Sequence, residues 1–151
     1  MQVYDADGHK VGGETQVNTT LAGSEYYQTC TALPDGGYIV AWEARNLDTG
    51  TDSIFSQRYN FAGAKIGAEI HVADNGFSYG LMYPSTTALV QTTGSPAAYV
   101  VTWASVGLDA GIDYGVFMQL YNLAGERSAV PSWSTAPRRA TRITPAHHGA
   151  Q

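Results

Sequence analysis

The sequence predicts an all-β fold of two propeller-like four-stranded antiparallel units and a partial third, and three observations predict it. The block QVYDADGHKVGGETQV at Gln2–Val17 returns as QRYNFAGAKIGAEIHV at Gln57–Val72 and begins again as QLYNLAGER at Gln119–Arg127. Two further blocks return in the same order: GYIVAW at Gly37–Trp42 as AYVVTW at Ala98–Trp103, and LDTGTD at Leu47–Asp52 as LDAGID at Leu108–Asp113. Between these blocks the apolar residues follow strand periodicity, and no useful length carries a helical one. A period of about sixty residues belongs to stacked or radially arrayed units, none of which buries its apolar face alone.

The elements follow in order. Gln28–Leu33 alternates apolar and polar residues as a strand does, and Pro34–Gly37 supplies a hairpin turn, since proline presets φ and glycine accepts positive φ. Tyr38–Ala44 is the return strand, and its continuous β-branched and aromatic run through Trp42 predicts burial on both faces. Ser53–Asn60 and Ala68–Val72 complete four strands around a turn at Ala62 and Gly63, with Glu14–Asn18 read as a short strand of the same kind. The second unit repeats the plan with Tyr83–Val90, a looser turn through Thr93–Pro96, Ala97–Ala104, Tyr114–Asn122 and a turn at Ala124 and Gly125. The repeat region therefore spans 1–130, with unit one at 2–56, unit two at 57–118 and a partial third at 119–130. The segment 131–151 has no strand pattern and reads as a disordered or non-native tail.

Composition narrows the function classes. The net charge of −5 argues against nucleic acid and anionic membrane as partners, because both demand a cationic surface. No apolar run is long enough to cross a bilayer, and the start of the chain shows no signal peptide. Cys30 is the single cysteine, so no internal disulfide forms, and it is expected to be a buried apolar residue. The repeat is already under way at Gln2, as in a piece of a longer array. Since a closed propeller usually takes about four to eight blades, two units imply a homo-oligomer, for instance a trimer, or else a sandwich of the two sheets.

Through the blocks QxYxxxGxxxGxE, ALPDGGYIVAW and DSIFSQRYN, the chain resembles the long tandem repeats of bacterial secreted and surface proteins, often found beside calcium-binding toxin-type repeats. The resemblance covers Gln2 to about Arg127 and departs at 90–97, where the tight Asp-Gly-Gly turn is replaced. It implies an extracellular or cell-surface setting and a binding or structural duty, with a carbohydrate or surface partner.

Five features bear on chemistry. The LDxGxD loops put Asp48 and Asp52, and likewise Asp109 and Asp113, around a glycine, which suits a hard cation such as calcium with Asn46, Thr49 or Thr51 adding oxygens. The same residues also make an ordinary turn. Asp5–Gly8 resembles the start of a calcium loop and reads better as a turn. Gly76–Gly80 matches GxSxG, which would make Ser78 a nucleophile with His71 and Asp74 upstream, although no helix follows the motif. Trp42, Trp103, Tyr38 and Tyr99 occupy matching positions and would stack on a sugar if exposed, but their apolar strands point to core packing. His147 and His148 lie in the tail and do not make a metal site by themselves. The functional expectation is a binding module for a carbohydrate or small-molecule ligand. The alternatives are a calcium-dependent hydrolase of lactones or esters, as in propeller lactonases, with Asn75 among its ligands, and a serine esterase using Ser78.

Overall fold

The computed structural model describes residues 1–19, 23–74, 80–89, 98–106 and 114–128. These residues form an all-β structure of two four-stranded antiparallel sheets and a short hairpin. The hairpin is β1 (Val3–Tyr4) with β2 (Lys10–Val11). The first sheet is a meander of β3 (Ser24–Ala32), β4 (Tyr38–Arg45), β5 (Asp52–Tyr59) and β6 (Lys65–Asp74). The second is β7 (Leu81–Ala88), β8 (Tyr99–Val106), β9 (Tyr114–Tyr121) and β10 (Arg127–Ser128), also a meander. The strand-forming residues of the third copy, from Gln119 on, pair with β8 and complete the second sheet.

The repeat seen in the sequence is also a repeat of atoms. Gln2, Gln57 and Gln119 each donate from Nε2 to the carbonyl of the next residue, at 2.9, 3.0 and 2.9 Å. Each also reaches the strand across the turn, at the carbonyls of Val11, Ile66 and Ser128 respectively. The turns that follow are closed alike by the side-chain oxygens of Asp5, Asn60 and Asn122, each accepting two backbone N–H groups. In all three a glycine at φ 81 to 83° (Gly8, Gly63, Gly125) takes the left-handed position that a side chain resists. Tyr38 stacks on Tyr59 and Tyr99 on Tyr121, both at 5.2 Å between ring centroids. Trp42 lies over Phe55, and Trp103 over Phe117 in the same way.

The two sheets pack against one another, and β7 lies across β3, β4 and β5. Between the first strands, Thr31 Oγ1 donates to the Thr86 carbonyl at 2.7 Å. At the far edges the Arg127 guanidinium donates to the Val72 carbonyl at 2.8 Å. Arg58 ties the sheets midway, donating to the Leu123 carbonyl while pairing with Asp35. Ile39, Ala41, Ile54 and Val72 of the first sheet meet Leu81, Tyr99, Val101 and Trp103 of the second in one buried cluster. The opposite face of the first sheet buries Val40, Trp42 and Tyr59 against Met1 and Val17 of the N-terminal segment. β4 is therefore covered on both faces, as its sequence predicts, and the four matched aromatics are structural: Trp42, Trp103 and Tyr99 are buried and Tyr38 is partly so.

Two expectations fail. Glu14–Asn18 is not a strand, although its equivalents lie within β6. β6 pairs along the length of β5, whereas among the described residues 14–18 has as backbone pairing the reciprocal bonds of Thr15 and Met1 at 2.8 Å. Cys30 is exposed rather than buried, because the face of β3 that carries it borders an open trough instead of a packed sheet.

Candidate functional site

The site that the structure brings together lies where the first strands of both sheets break register. β3 shifts between Tyr26 and Thr29 as it pairs with β4, and β7 shifts between Met82 and Ser85 as it pairs with β8. At each bulge one tyrosine takes a left-handed backbone: Tyr27 at φ 52° and Tyr83 at φ 56°. A bulky residue pays about 1–2 kcal/mol for that conformation, and such strain concentrates at functional positions. Tyr83 stands before Pro84, a place where residues are ordinarily extended.

The bulges turn the rings outward. Tyr27 and Tyr83 meet edge to face at 4.7 Å between centroids, and Tyr26 lies 6.2 Å from Tyr27. All three are about half exposed, at 45% for Tyr26, 51% for Tyr27 and 59% for Tyr83. The neighbouring Tyr83 phenol raises the Tyr27 pKa, so the Tyr27 hydroxyl stays protonated at physiological pH.

Behind the rings is a buried acid. Glu43 on β4 pairs in register with Tyr26, accepts a hydrogen bond from the Tyr83 backbone, and is 7% exposed. Burial, together with the nearby Asp52 carboxylate, pushes its pKa up to about 7, against the opposing pull of Arg45 and the Tyr83 bond. Asp52 opens β5, is fully buried, and accepts the Gly80 N–H at 2.9 Å, which anchors the start of β7 to the first sheet. Its other oxygen lies 3.9 Å from Arg45 Nε. The backbone that carries the aromatic cluster thus lies beside a buried carboxyl group whose pKa is raised.

The residues that the sequence nominated are dispersed. Asp48 is exposed on the loop after β4, while Asp52 faces inward. The Asn46 side-chain oxygen accepts the N–H groups of Asp48 and Thr49 at 2.9 and 3.2 Å, which closes the loop as a turn. Neither aspartate belongs to a three-residue cluster able to share an ion among the described residues. Asp109 and Asp113 lie outside the described residues. Asp5, Asp7 and His9 do cluster on the surface, but one Asp5 oxygen already accepts the backbone of Asp7 and His9, and the other faces the His9 ring at 3.3 Å. His71 and Asp74 are exposed, with Nε2 3.7 Å from a carboxylate oxygen, and Ser78 lies outside the described residues.

Sequence reading missed Tyr26, Tyr27, Tyr83 and Glu43. A signal was present: the equivalent segments EYYQT and LMYPS share a tyrosine at one position, and Pro84 cannot donate to a strand ladder, which marks a bulge. Among the described residues no helix is long and apolar enough to cross a membrane. No family model matches the chain, and no curated protein or solved structure matches it either.

Proposed function

We propose that this chain is a non-catalytic β-repeat module that binds carbohydrate through the tyrosines of its first strands, in an extracellular or cell-surface setting. The observation that carries the reading is the left-handed backbone of Tyr27 and Tyr83 at equivalent bulges. Two strained positions in one register project aromatic faces into solvent, where regular alternation would have sent Tyr26 and Tyr27 to opposite faces of the sheet. Tyrosine suits the task because its ring covers the C–H face of a sugar while its hydroxyl bonds to the sugar's own hydroxyls. The acidic neighbours Glu25 and Glu43 favour an uncharged ligand over an anionic one.

The two stacked sheets are read as neighbouring blades of a propeller. Equivalent first strands lie together at Thr31 and Thr86, and equivalent last strands at Val72 and Arg127. In such an array the first strands of successive units line one surface, so each further unit adds a tyrosine to the same face. Repetition then raises avidity without any new kind of contact.

Glycan-array binding by the purified chain, with Tyr27→Ala and Tyr83→Ala as paired controls, tests the proposal. Saturable binding that falls in both variants supports it. Binding that survives both substitutions sinks it, as does turnover of lactone or ester substrates, which would favour the hydrolase readings; abolition by chelator or by Ser78→Ala would then tell those two apart.

A further inference from the structure

The N-terminal hairpin occupies the outer half of a place built for a whole sheet. Residues 2–17 stack on the first sheet as residues 57–72 stack on the second: Val17 packs against Val40, Trp42 and Tyr59, and Val72 packs in the cluster that holds Val101, Trp103 and Tyr121. In the second case the stack continues inward, because β5 is joined to β4, whose Ile39 and Ala41 share one buried cluster with Val101 and Trp103. In the first case no strand of the described residues pairs inward of β1. A trough of about 550 Å³ stands there instead, bordered by Gln2, Val17, Gln28, Cys30, Val40 and Trp42.

Two side chains register what is missing. Tyr59 and Tyr121 are fully buried, each stacked on a tyrosine of the adjoining strand, while their equivalent Tyr4 is 55% exposed. Thr86 of β7 is buried and bonded to Thr31 of the first sheet, while its equivalent Cys30 is exposed in the trough. Among the described residues the inner edge of β1 is likewise unpaired, whereas β5 and β9 are paired there by β4 and β8.

We infer that the trough is a receiving site for an antiparallel β-hairpin of a further repeat unit, equivalent to β3 and β4. Its second strand adds to the free edge of β1 through backbone hydrogen bonds, as in strand addition generally, and alternate side chains supply specificity. A tyrosine equivalent to Tyr38 lies on Tyr4, and residues equivalent to Ile39 and Ala41 cover Val40 and Trp42. A second copy of this chain is not the donor, because both of its own hairpins are already paired along β5 and β9. The inference rests on the internal repeat and not on carbohydrate binding, so either can fail alone.

Cys30 reports occupancy, being the chain's one thiol and bordering the trough. The first probe is a synthetic peptide with the sequence of residues 24–45 carrying Cys30→Ser, added to the full chain. The expected result is a saturable slowing of Cys30 modification by at least about tenfold, a difference of roughly 1.4 kcal/mol in site opening. The same peptide with Ile39→Lys and Ala41→Lys should give no protection. An isolated hairpin is marginally ordered in water, so a second arm places a copy of residues 24–56, again with Cys30→Ser, directly ahead of Gln2 in place of Met1. That chain should protect Cys30 equally and melt at a higher temperature. Equal protection by both peptides overturns the inference, as does protection by neither the peptide nor the fusion. Cys30 protection that rises with the concentration of the chain alone also overturns it, since a second copy would then fill the trough.

Discussion

Tyr27 and Tyr83 touch edge to face at 4.7 Å from equivalent bulges on the first strands of two stacked sheets, each with positive φ. Conformation and ring can be separated by substitution. Glycine tolerates the left-handed backbone and alanine does not, yet both delete the ring. Tyr27→Gly should therefore be more stable than Tyr27→Ala by about 1 kcal/mol in urea unfolding, while the two lose glycan affinity alike, roughly tenfold. If alanine is as stable as glycine, the bulge is not strained in solution.

The buried acid gives stability a pH dependence of unusual sign. Glu43 has a folded pKa of about 7 against an ordinary value of 4.5, so between those limits the folded state holds more protons than the unfolded one. Stability should then fall as pH rises from about 4.5 to 7, the reverse of a salt-bridged carboxylate. Glu43→Gln should remove that slope and exceed the wild type above pH 7 by on the order of 1–2 kcal/mol, allowing for solvent screening. Denaturant midpoints between pH 4 and 8 check this, and an unchanged slope in the variant would assign it to another group.

Asp52 contributes twice, once as an acceptor and once as a charge. Asp52→Ala leaves the Gly80 N–H without its partner at the junction of the two sheets and should cost about 1–3 kcal/mol. Asp52→Asn keeps an acceptor oxygen but deletes the charge that helps to raise Glu43. In that variant the pH-dependent window should contract toward lower pH. NMR titration of the Glu43 side chain reads the shift directly, and an unmoved titration would show that burial alone holds the acid up.

Much of the fold was legible because each strand carries its own signal. Leu33 and Gly37 close the expected turn with a backbone bond at 2.8 Å, and an added Cβ on Gly37 would stand 2.4 Å from the Tyr59 carbonyl, which is why glycine is found there. The two covered faces of β4 follow from its apolar run at Tyr38–Trp42. The phase of the units was less visible, since the best-matched block starts at Gln57 in the middle of the first sheet and a covalent repeat carries no mark of where a sheet begins. The site was hidden for a related reason. Strand alternation sends Tyr26 and Tyr27 to opposite faces, and only the register shift before Thr29 brings both rings to the surface beside Tyr83. Glu43 has Ala104 as its equivalent, so repetition did not single it out.

The repeated glutamines offer the sharpest test of whether equivalent residues act equivalently. Gln57 is 1% exposed and donates to the carbonyls of Arg58, Ile66 and Gly67, so one side-chain amide satisfies acceptors on both strands of the β5–β6 turn. Gln57→Ala strands those acceptors and should cost about 1–3 kcal/mol. Gln2 makes the matching bonds in a hairpin whose inner side is open, where water replaces the lost donor, and Gln2→Ala should cost no more than about 0.5 kcal/mol. Gln57→Glu separates the amide donor from simple bulk. A carboxylate has no proton for the carbonyls, so this variant should be less stable than Gln57→Ala at pH 8 and recover toward pH 4, where its acid can donate. Equal costs at positions 2 and 57 would mean that the hairpin is already packed as tightly in solution as the complete sheet, and the open trough would then have no place beside β1.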